Sequence, residues 1–208
     1  KFAIEMSRLG GIAVLNLNGV QTRYDDPGGV LEKIARANPD EATKLVQSLY
    51  LKPIQEKLIA KRIKEIKSKK GVAAVSCIPQ DAERFGKIAQ DSGADIFVIQ
   101  ATVISVKHVA SEYKVVDLAK FIKSMKMPVI LGNCVTYSVA LELMETGPSA
   151  ILVGIGPGAA CTTRGVLGIG VPQVTATSDA AAARDFYYKN TAKYIPIITD
   201  GGMDSGGD

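Results

Sequence analysis

The stretch AILVGIGPGAACTTR occupies residues 150–164 and indicates the fold of the chain. Its first four residues form an apolar run with the length of a buried strand, and the run ends in a loop of glycines and other small residues. The loop then presents a thiol, two hydroxyls and a guanidinium, from Cys161 to Arg164. Because such a loop lets a ligand approach the backbone beside a sulfur nucleophile, we expect a strand whose end carries function.

Similar apolar, β-branched runs recur along the chain and alternate with longer segments of helical period. The predicted strands are residues 12–15, 72–75, 96–99, 129–131, 151–153 and 195–199. Amphipathic segments lie between most of them, at 81–92, 116–125 and 135–146. This alternation predicts an α/β fold with a parallel sheet and crossover helices.

The segment 38–70 has a different character, because it is long, rich in lysine and glutamate, and helical in period. Its pattern predicts two helices that part near Pro53. We interpret it as a crossover helix with an additional helical arm, and a separate partner-binding module is the alternative.

Length and composition predict one globular domain in a chain of 208 residues, of which 47% are hydrophobic. The net charge of +4 is mild and its lysines are scattered, so nucleic acid is not the expected partner. No apolar run reaches the roughly 18 residues that span a bilayer, so we expect no membrane association and a cytoplasmic location. Three widely spaced cysteines and one histidine indicate neither a disulfide framework nor a zinc site.

Polar and glycine residues cluster where the predicted strands end, which is where parallel βα folds carry their functional loops. Asn133 is either a turn residue or a ligand contact, and Cys161 is either a nucleophile or an inert thiol. We interpret Cys77 and Cys134 as small buried thiols and His108 as a surface or packing residue. The strand-end segments are residues 16–19, 76–77, 100–102, 132–134, 154–164 and 200–202.

Several motifs, in their order along the chain, resemble the IMP dehydrogenase / GMP reductase family. They are LGGIAVLN at 9–16, GNCVT at 132–136, VGIGPGAACTTR at 153–164, GIGVPQ at 168–173, DGG at 200–202 and SGGD at 205–208. The match runs nearly from end to end, which makes it specific for the family and less specific for the reaction.

The resemblance implies a (β/α)8 TIM barrel, present here as a partial barrel. A barrel of this kind needs roughly 250 residues, so we expect a single domain over 1–208 that is incomplete at both ends. The regulatory CBS insertion that is common in IMP dehydrogenases is missing between Val14 and Val72, and the predicted helical insertion around 38–70 lies there instead. The closest branch is the IMP-dehydrogenase-related one that lacks CBS domains.

The implied activity is that of an NAD(P)-dependent oxidoreductase of purine nucleotide metabolism. In the family, the loop cysteine adds to C2 of a purine nucleoside monophosphate, and a hydride passes between that carbon and NAD or NADP. An IMP dehydrogenase makes XMP on the route of GMP biosynthesis, whereas a GMP reductase converts GMP to IMP with NADPH and releases ammonia. A homotetramer is implied by the family alone.

The resemblance also assigns roles to residues of this chain. Cys161 and Thr163 are the catalytic pair, and Arg164 either stabilises the loop or the thiolate or is a solvated, neighbour-bridging arginine. The substrate-binding residues implied are Asn133, Gly158, Ala159, Asp200, Gly201 and Gly202. The cofactor-binding residues implied are Gln100, Thr102, Gly154 and Gly156. Backbone carbonyls of Gly156, Gly158 and Cys161 would hold a monovalent cation, K+ in the family.

Two departures from the family pattern bear on function. Ala159 replaces the usual serine of the phosphate-binding loop and removes one hydroxyl donor. Gln100 stands where the family usually has an aspartate that contacts the nicotinamide ribose, which affects cofactor affinity and the choice between NAD and NADP.

Four functions therefore compete. IMP dehydrogenase is the expected activity, and GMP reductase is the closest alternative. A non-catalytic purine-nucleotide-binding paralogue fits the two departures but needs no exposed thiol, and a phosphate-binding barrel for an unrelated sugar or amino-acid substrate leaves the cysteine unexplained.

Overall fold

The computed structural model describes residues 1–111 and 113–207 of the chain. Glu112 and Asp208, the last residue of the SGGD motif, lie outside the described residues. The chain divides into two compact units. Unit 1 comprises Lys1–Cys77 and Arg84–Phe97, and unit 2 comprises Ile78–Glu83 and the residues from Val98 onward.

Unit 1 begins with helix α1 (Phe2–Arg8) and strand β1 (Val14–Asn16), and continues with three helices before strand β2 (Ala74–Cys77). The three helices are α2 (Pro27–Ala35), α3 (Pro39–Tyr50) and α4 (Glu56–Lys67), and helix α5 (Ala82–Asp91) follows β2. β1 and β2 pair in parallel, with Val14 opposite Ala74. The predicted pair of helices in the segment 38–70 is confirmed, with Pro53 in the turn between α3 and α4.

The core of unit 1 is built largely on helix α4. Its apolar residues recur at helical spacing, so one face is buried and the opposite face carries the lysines. Leu58, Ile59 and Ile63 are among the most completely buried side chains of the chain. α4 contacts the short turn Val20–Thr22, which follows β1. Burial of one such aliphatic side chain contributes about 1.5–3 kcal/mol to the free energy of folding.

After the short segment Ile78–Glu83, the chain returns to unit 2 within strand β3 (Ile96–Gln100). The remaining elements are α6 (Leu118–Ser124), β4 (Val129–Cys134), α7 (Tyr137–Glu145), β5 (Ala150–Val153), α8 (Thr163–Leu167), α9 (Gln173–Thr191) and β6 (Ile197–Thr199). β4 pairs in parallel with β5, and β5 with β6. Strand and helix alternate throughout, as in a partial (β/α)8 barrel, and the parallel pairing predicted from the sequence is confirmed for these strands.

Local sequence signals set several ends of the elements in unit 2. The Asp117 carboxylate accepts a hydrogen bond from the Lys120 N–H and caps α6, and the Thr136 hydroxyl accepts one from the Val139 N–H and caps α7. α7 is followed by Gly147, whose φ of +84° suits a residue without a Cβ. α7 packs against α9 through buried alanines, including Ala140 and Ala180.

No helix among residues 1–111 and 113–207 is both long enough and apolar enough to cross a membrane.

Candidate active site

Three polar side chains at the carboxyl ends of strands in unit 2 form one hydrogen-bonded group, which we call the strand-end cluster. It consists of Gln100, Asn133 and Asp200. The Asn133 amide donates to Asp200 Oδ2 at 2.8 Å. The Gln100 amide donates to the same oxygen at 3.3 Å and to Asn133 Oδ1 at 3.3 Å. Two amide donors thus hold one oxygen of a single carboxylate, which fixes its orientation.

The backbone holds the members of the strand-end cluster in place. Asn133 lies where the register of β4 against β5 shifts, between Gly132 and Cys134, and it is buried. Its N–H donates to the Ala101 carbonyl at 2.9 Å, directly after Gln100. Asp200 follows β6, and its N–H donates to the Val153 carbonyl at 2.8 Å. The position of the cluster therefore follows from the pairing of the strands.

Two glycine-containing loops of unit 2 lie backbone against backbone. A Cβ at Gly201 would come within 3.3 Å of the Gly158 nitrogen, and one at Gly202 within 3.0 Å of Pro157 Cβ. Both Gly201 and Gly202 have φ values near +80°, a conformation that favours glycine. The structure thus brings together Gly158, Gly201 and Gly202, three of the residues predicted to bind the substrate. Adjoining backbone amides of this kind suit an anion.

Cys161 lies exposed on the loop after β5, close to the second predicted catalytic residue. Its sulfur is 3.2 Å from the Thr163 hydroxyl oxygen. Hydrogen bonding from the side chain and backbone of Thr163, with a smaller contribution from the charge of Arg164, lowers the pKa of the Cys161 thiol below its ordinary value. A low thiol pKa and exposure are the two conditions for a reactive cysteine.

The other two cysteines have the opposite surroundings. Both Cys77 and Cys134 are buried, as predicted. Burial raises the pKa of the Cys134 thiol to about 12. Cys134 therefore remains protonated at neutral pH, and it is chemically inert although it follows Asn133 directly.

The remaining predicted residues occupy different positions in unit 2. Gly154 adopts a φ of +138°, and a Cβ there would lie 2.7 Å from the Asp200 carbonyl. Gly156 adopts a φ of +66° beside Thr163 and Arg164. Ala159 is exposed. Thr102 is exposed and lines a cavity, described next, apart from the strand-end cluster.

A cavity of about 330 Å³ lies beside the segment that follows β3. Its walls are mostly apolar, and His108 and Tyr113 supply stacked rings with centroids 5.9 Å apart. His108 is exposed and its Nε2 is 2.6 Å from the Tyr113 hydroxyl oxygen, which agrees with the predicted surface role. The wall residues include Ile78, Pro79, Thr102, Val103, Ile104 and Val116.

Gln173 has a role that sequence reasoning did not assign. Its side-chain amide donates to the Val153 carbonyl at 2.8 Å and to the Asp200 carbonyl at 3.3 Å, so it ties the end of β5 to the end of β6. Its Oε1 is buried and has no hydrogen-bond partner among the described residues. A Pro-Gln pair at the start of a helix, directly after a glycine-rich loop, is the sequence signal that marks this position.

Among the described residues, no group of three or more His, Cys, Asp or Glu side chains could hold a metal ion. The predicted cation ligands are backbone carbonyls, to which this finding does not apply. Carbonyl oxygens suit a hard cation. The Gly158 carbonyl already accepts a hydrogen bond from the Cys161 N–H at 2.9 Å.

Comparison with known proteins shows which proteins the chain is similar to. The model of the IMP dehydrogenase / GMP reductase domain matches residues 1–208. A crystal structure of an IMP dehydrogenase/GMP reductase-like protein from Corynebacterium glutamicum superimposes with a TM-score of 0.90 at 34% sequence identity, covering 99% of this chain and 55% of that one. The likeness confirms the predicted fold class.

Curated relatives agree with this result. An uncharacterized oxidoreductase of Mycolicibacterium smegmatis is 38% identical over the whole of this chain. An inosine-5'-monophosphate dehydrogenase of Pasteurella multocida is 38% identical over 65% of this chain and 26% of its own length. The chain spans 57% of the length of the mycobacterial oxidoreductase.

Proposed function

The chain belongs to the IMP dehydrogenase / GMP reductase family, and on that premise we propose that the protein is a purine nucleotide oxidoreductase of the IMP dehydrogenase type. The proposed reaction converts IMP to XMP through a covalent intermediate between Cys161 and purine C2. The observation that carries the proposal is the exposed Cys161 thiol, which lies 3.2 Å from the Thr163 hydroxyl and has a lowered pKa.

The strand-end cluster and the glycine loops suit the two ends of a nucleoside monophosphate. Asp200 Oδ2 already accepts hydrogen bonds from Gln100 and Asn133, which leaves Oδ1 to accept hydrogen bonds from ribose hydroxyls. The backbone amides of Gly158, Gly201 and Gly202 would bind the phosphate, without the hydroxyl donor that a serine at Ala159 would add.

In the proposed mechanism the Cys161 thiolate adds to the electron-poor C2 carbon and forms a carbon–sulfur bond. C2 then loses a hydride, and the resulting thioimidate is attacked by water. The carbon–sulfur bond breaks, XMP is released and the thiol is restored. Thr163 is placed to hold the attacking water, since its hydroxyl lies beside the sulfur. A thiolate suits both steps because it is a good nucleophile and a good leaving group.

A nicotinamide cofactor, NAD or NADP, would accept the hydride when bound. The residues present fit such a group, because Gln100 offers a neutral amide at the end of β3 and Thr102, two residues further along, lines the 330 Å³ cavity. The backbone of Gly154 and Gly156 would border it. A bound K+ would be held by the carbonyls of Gly156, Gly158 and Cys161 and would order the loop.

GMP reductase is the second candidate, because Ala159 and Gln100 resemble the family branch without CBS domains, some of whose members behave as GMP reductases. The strand-end cluster holds one carboxylate where the family usually has two, as in the related branch without CBS domains. In that reaction the thiolate would add to C2 of GMP and ammonia would leave, which gives a thioimidate. C2 would then accept a hydride from NADPH, and the carbon–sulfur bond would break to release IMP and restore the thiolate. The same cysteine serves both directions.

Turnover assays separate the two directions. Purified protein is incubated with IMP and NAD, or with GMP and NADPH, and the absorbance of the reduced nicotinamide is followed. An increase with IMP and NAD supports the dehydrogenase. Turnover only with GMP and NADPH would establish the reductase instead, and nucleotide binding without either turnover would favour the non-catalytic paralogue. Size-exclusion chromatography with light scattering tests the proposed homotetramer.

A further inference from the structure

Arg164 connects the two ends of the loop that carries Cys161 and Thr163. Its Nε donates to the Ile155 carbonyl at 3.1 Å, and its Nη2 donates to the Val171 carbonyl. The two carbonyls flank the segment 156–170. Because a guanidinium is planar and presents its donors in a fixed fork, one side chain can bind both carbonyls only in one orientation.

Two glycines leave room for the Arg164 side chain. A Cβ at Gly156 would come within 3.1 Å of Arg164 Cγ, and a Cβ at Gly170 would come within 2.6 Å of Arg164 Nε. A larger residue at either position would therefore displace the Arg164 side chain. Gly165, in the same loop, has no atom within 4 Å of a Cβ position and serves as a contrast.

Little else in the described structure holds this loop through apolar burial. Its large apolar side chains are mostly exposed, with Val166 76% and Leu167 61% accessible. Arg164 itself is half-buried. A segment with few buried apolar contacts depends on its polar contacts for a single conformation.

We propose that Arg164 is a positioning residue that clamps the loop between Ile155 and Val171 and thereby holds Cys161 and Thr163 in reactive geometry. The inference rests on the proposed function for its catalytic consequence, since the clamp acts through Cys161. Its positive charge and its planar fork are separable by substitution, and the clamp depends on the fork, which makes both carbonyl contacts.

Three variants separate these contributions. Arg164→Met keeps most of the side-chain stem and loses charge and fork, whereas Arg164→Lys keeps the charge and loses the fork. Gly170→Ala leaves Arg164 intact and forces its Nε away from its present position. Gly165→Ala is the matched control, because it adds the same methyl group to the same loop where space is open.

Two measurements are made on each purified protein. The first is the pH dependence of alkylation of Cys161 by iodoacetamide without nucleotide, followed by peptide mass spectrometry. The second is kcat and KM in whichever direction of turnover the wild-type protein shows. Thermal unfolding is recorded in parallel.

For Arg164→Met we expect kcat to fall at least as far as in Arg164→Lys, because both variants lose the fork that contacts the two carbonyls. For Arg164→Lys and Gly170→Ala we expect a midpoint near that of the wild type with kcat lowered by about 10- to 100-fold, as for a misplaced catalytic group, and KM little changed. Gly165→Ala should match the wild type in both measurements.

Wild-type alkylation profiles and wild-type kcat in Arg164→Lys and Gly170→Ala would overturn the inference. So would a lower melting temperature with an unchanged alkylation profile and kcat, because that result describes a purely structural residue. If the wild-type protein shows no turnover, the proposed function fails, and limited proteolysis within the segment 156–170 still tests the clamp. Faster cleavage in Arg164→Lys than in Gly165→Ala would support the clamp, and equal cleavage would overturn it.

Discussion

The strand-end cluster and the loop after β5 differ in how their side chains are held. One cysteine lies next to the cluster, and another lies on the loop. At the end of β4, next to the cluster residue Asn133, Cys134 is buried and its pKa is raised to about 12. On the loop, Cys161 is exposed and its pKa is lowered by Thr163. The strand end provides fixed polar groups that suit ligand binding, whereas the glycine-rich loop exposes a thiol that can react. Variants of the two regions should therefore have different consequences.

The largest expected effect is in the loop. Cys161→Ala should lower kcat by on the order of 10⁴-fold or more, because the covalent intermediate cannot form. Cys134→Ala should leave kcat unchanged and cost about 1 kcal/mol of stability, as for a typical buried substitution. Steady-state turnover and urea unfolding of both proteins test this contrast, and an equal loss of kcat in the two variants would refute it.

The next effect belongs to the strand-end cluster. Asp200→Asn should weaken IMP binding by about 10- to 100-fold, because a hydrogen bond to a charged group contributes about 1.5–3 kcal/mol. Asp179→Asn, on an exposed position of α9, removes the same charge and is the control. Isothermal titration calorimetry compares them. Equal affinities in both variants would show that general charge, and not the ribose contact, governs binding.

Gln100→Glu should have a smaller, pH-dependent effect on IMP binding. It places a second carboxylate about where the Gln100 amide now lies, 3.3 Å from Asp200 Oδ2. Like charges at this distance raise the pKa of one carboxyl group, so affinity should fall most at pH 8 and recover as the pH falls and one group is protonated. Titrations at pH 5.5, 7 and 8 measure this. A loss independent of pH would contradict it, and Gln47→Glu, on an exposed position of α3, is the charge control.

The smallest expected effect concerns the loop hydroxyl. Thr163→Val should move the midpoint of Cys161 alkylation to higher pH, because the hydrogen bond from Thr163 is the largest cause of the lowered pKa. The reactive thiolate is present above the pKa and is lost as the pH falls through it, so the variant should be alkylated more slowly at pH 7. Alkylation at pH 10 should differ little. An unchanged midpoint would assign the low pKa to another group.

Much of the fold was predictable because strand and helix patterns are local. All six predicted strands are present in the structure, but their ends differ from the prediction by up to three residues: β4 extends three residues further, and β1, β2 and β6 start two residues later. The Val72 N–H donates to the Ser7 hydroxyl and the Ala73 N–H to Asp95, so these residues precede the paired part of β2. Such long-range side-chain partners leave no periodic signal in the sequence.

Helix α9 is a second element that the sequence pattern did not predict. The sequence reading did not assign Gln173–Thr191, because its buried face consists largely of alanine and has little apolar contrast. The short alanine side chains of α9 allow it to pack against α7. This contact between helices depends on the folded structure and leaves no local pattern in the sequence.

The candidate site was predictable where a motif is contiguous and not where contacts cross the chain. The proximity of Cys161 and Thr163 follows from their spacing of two residues. By contrast, Asn133 and Asp200 are separated by 67 positions in the sequence. Gln173 and Arg164 bind backbone carbonyls, and because every residue has one, nothing in the sequence indicates which carbonyls they contact. Parallel pairing of β4, β5 and β6 is what brings the strand ends together.

Covalent trapping with 6-chloro-IMP tests the central claim most directly. The thiolate of a cysteine held beside a bound purine displaces chloride and forms a carbon–sulfur bond to the ring. We predict that intact-protein mass spectrometry will show one nucleotide added with loss of chloride, that peptide mapping will place it on Cys161, and that Cys134 will stay unmodified. Saturable binding of the nucleotide with Cys161 unmodified would contradict the proposed mechanism.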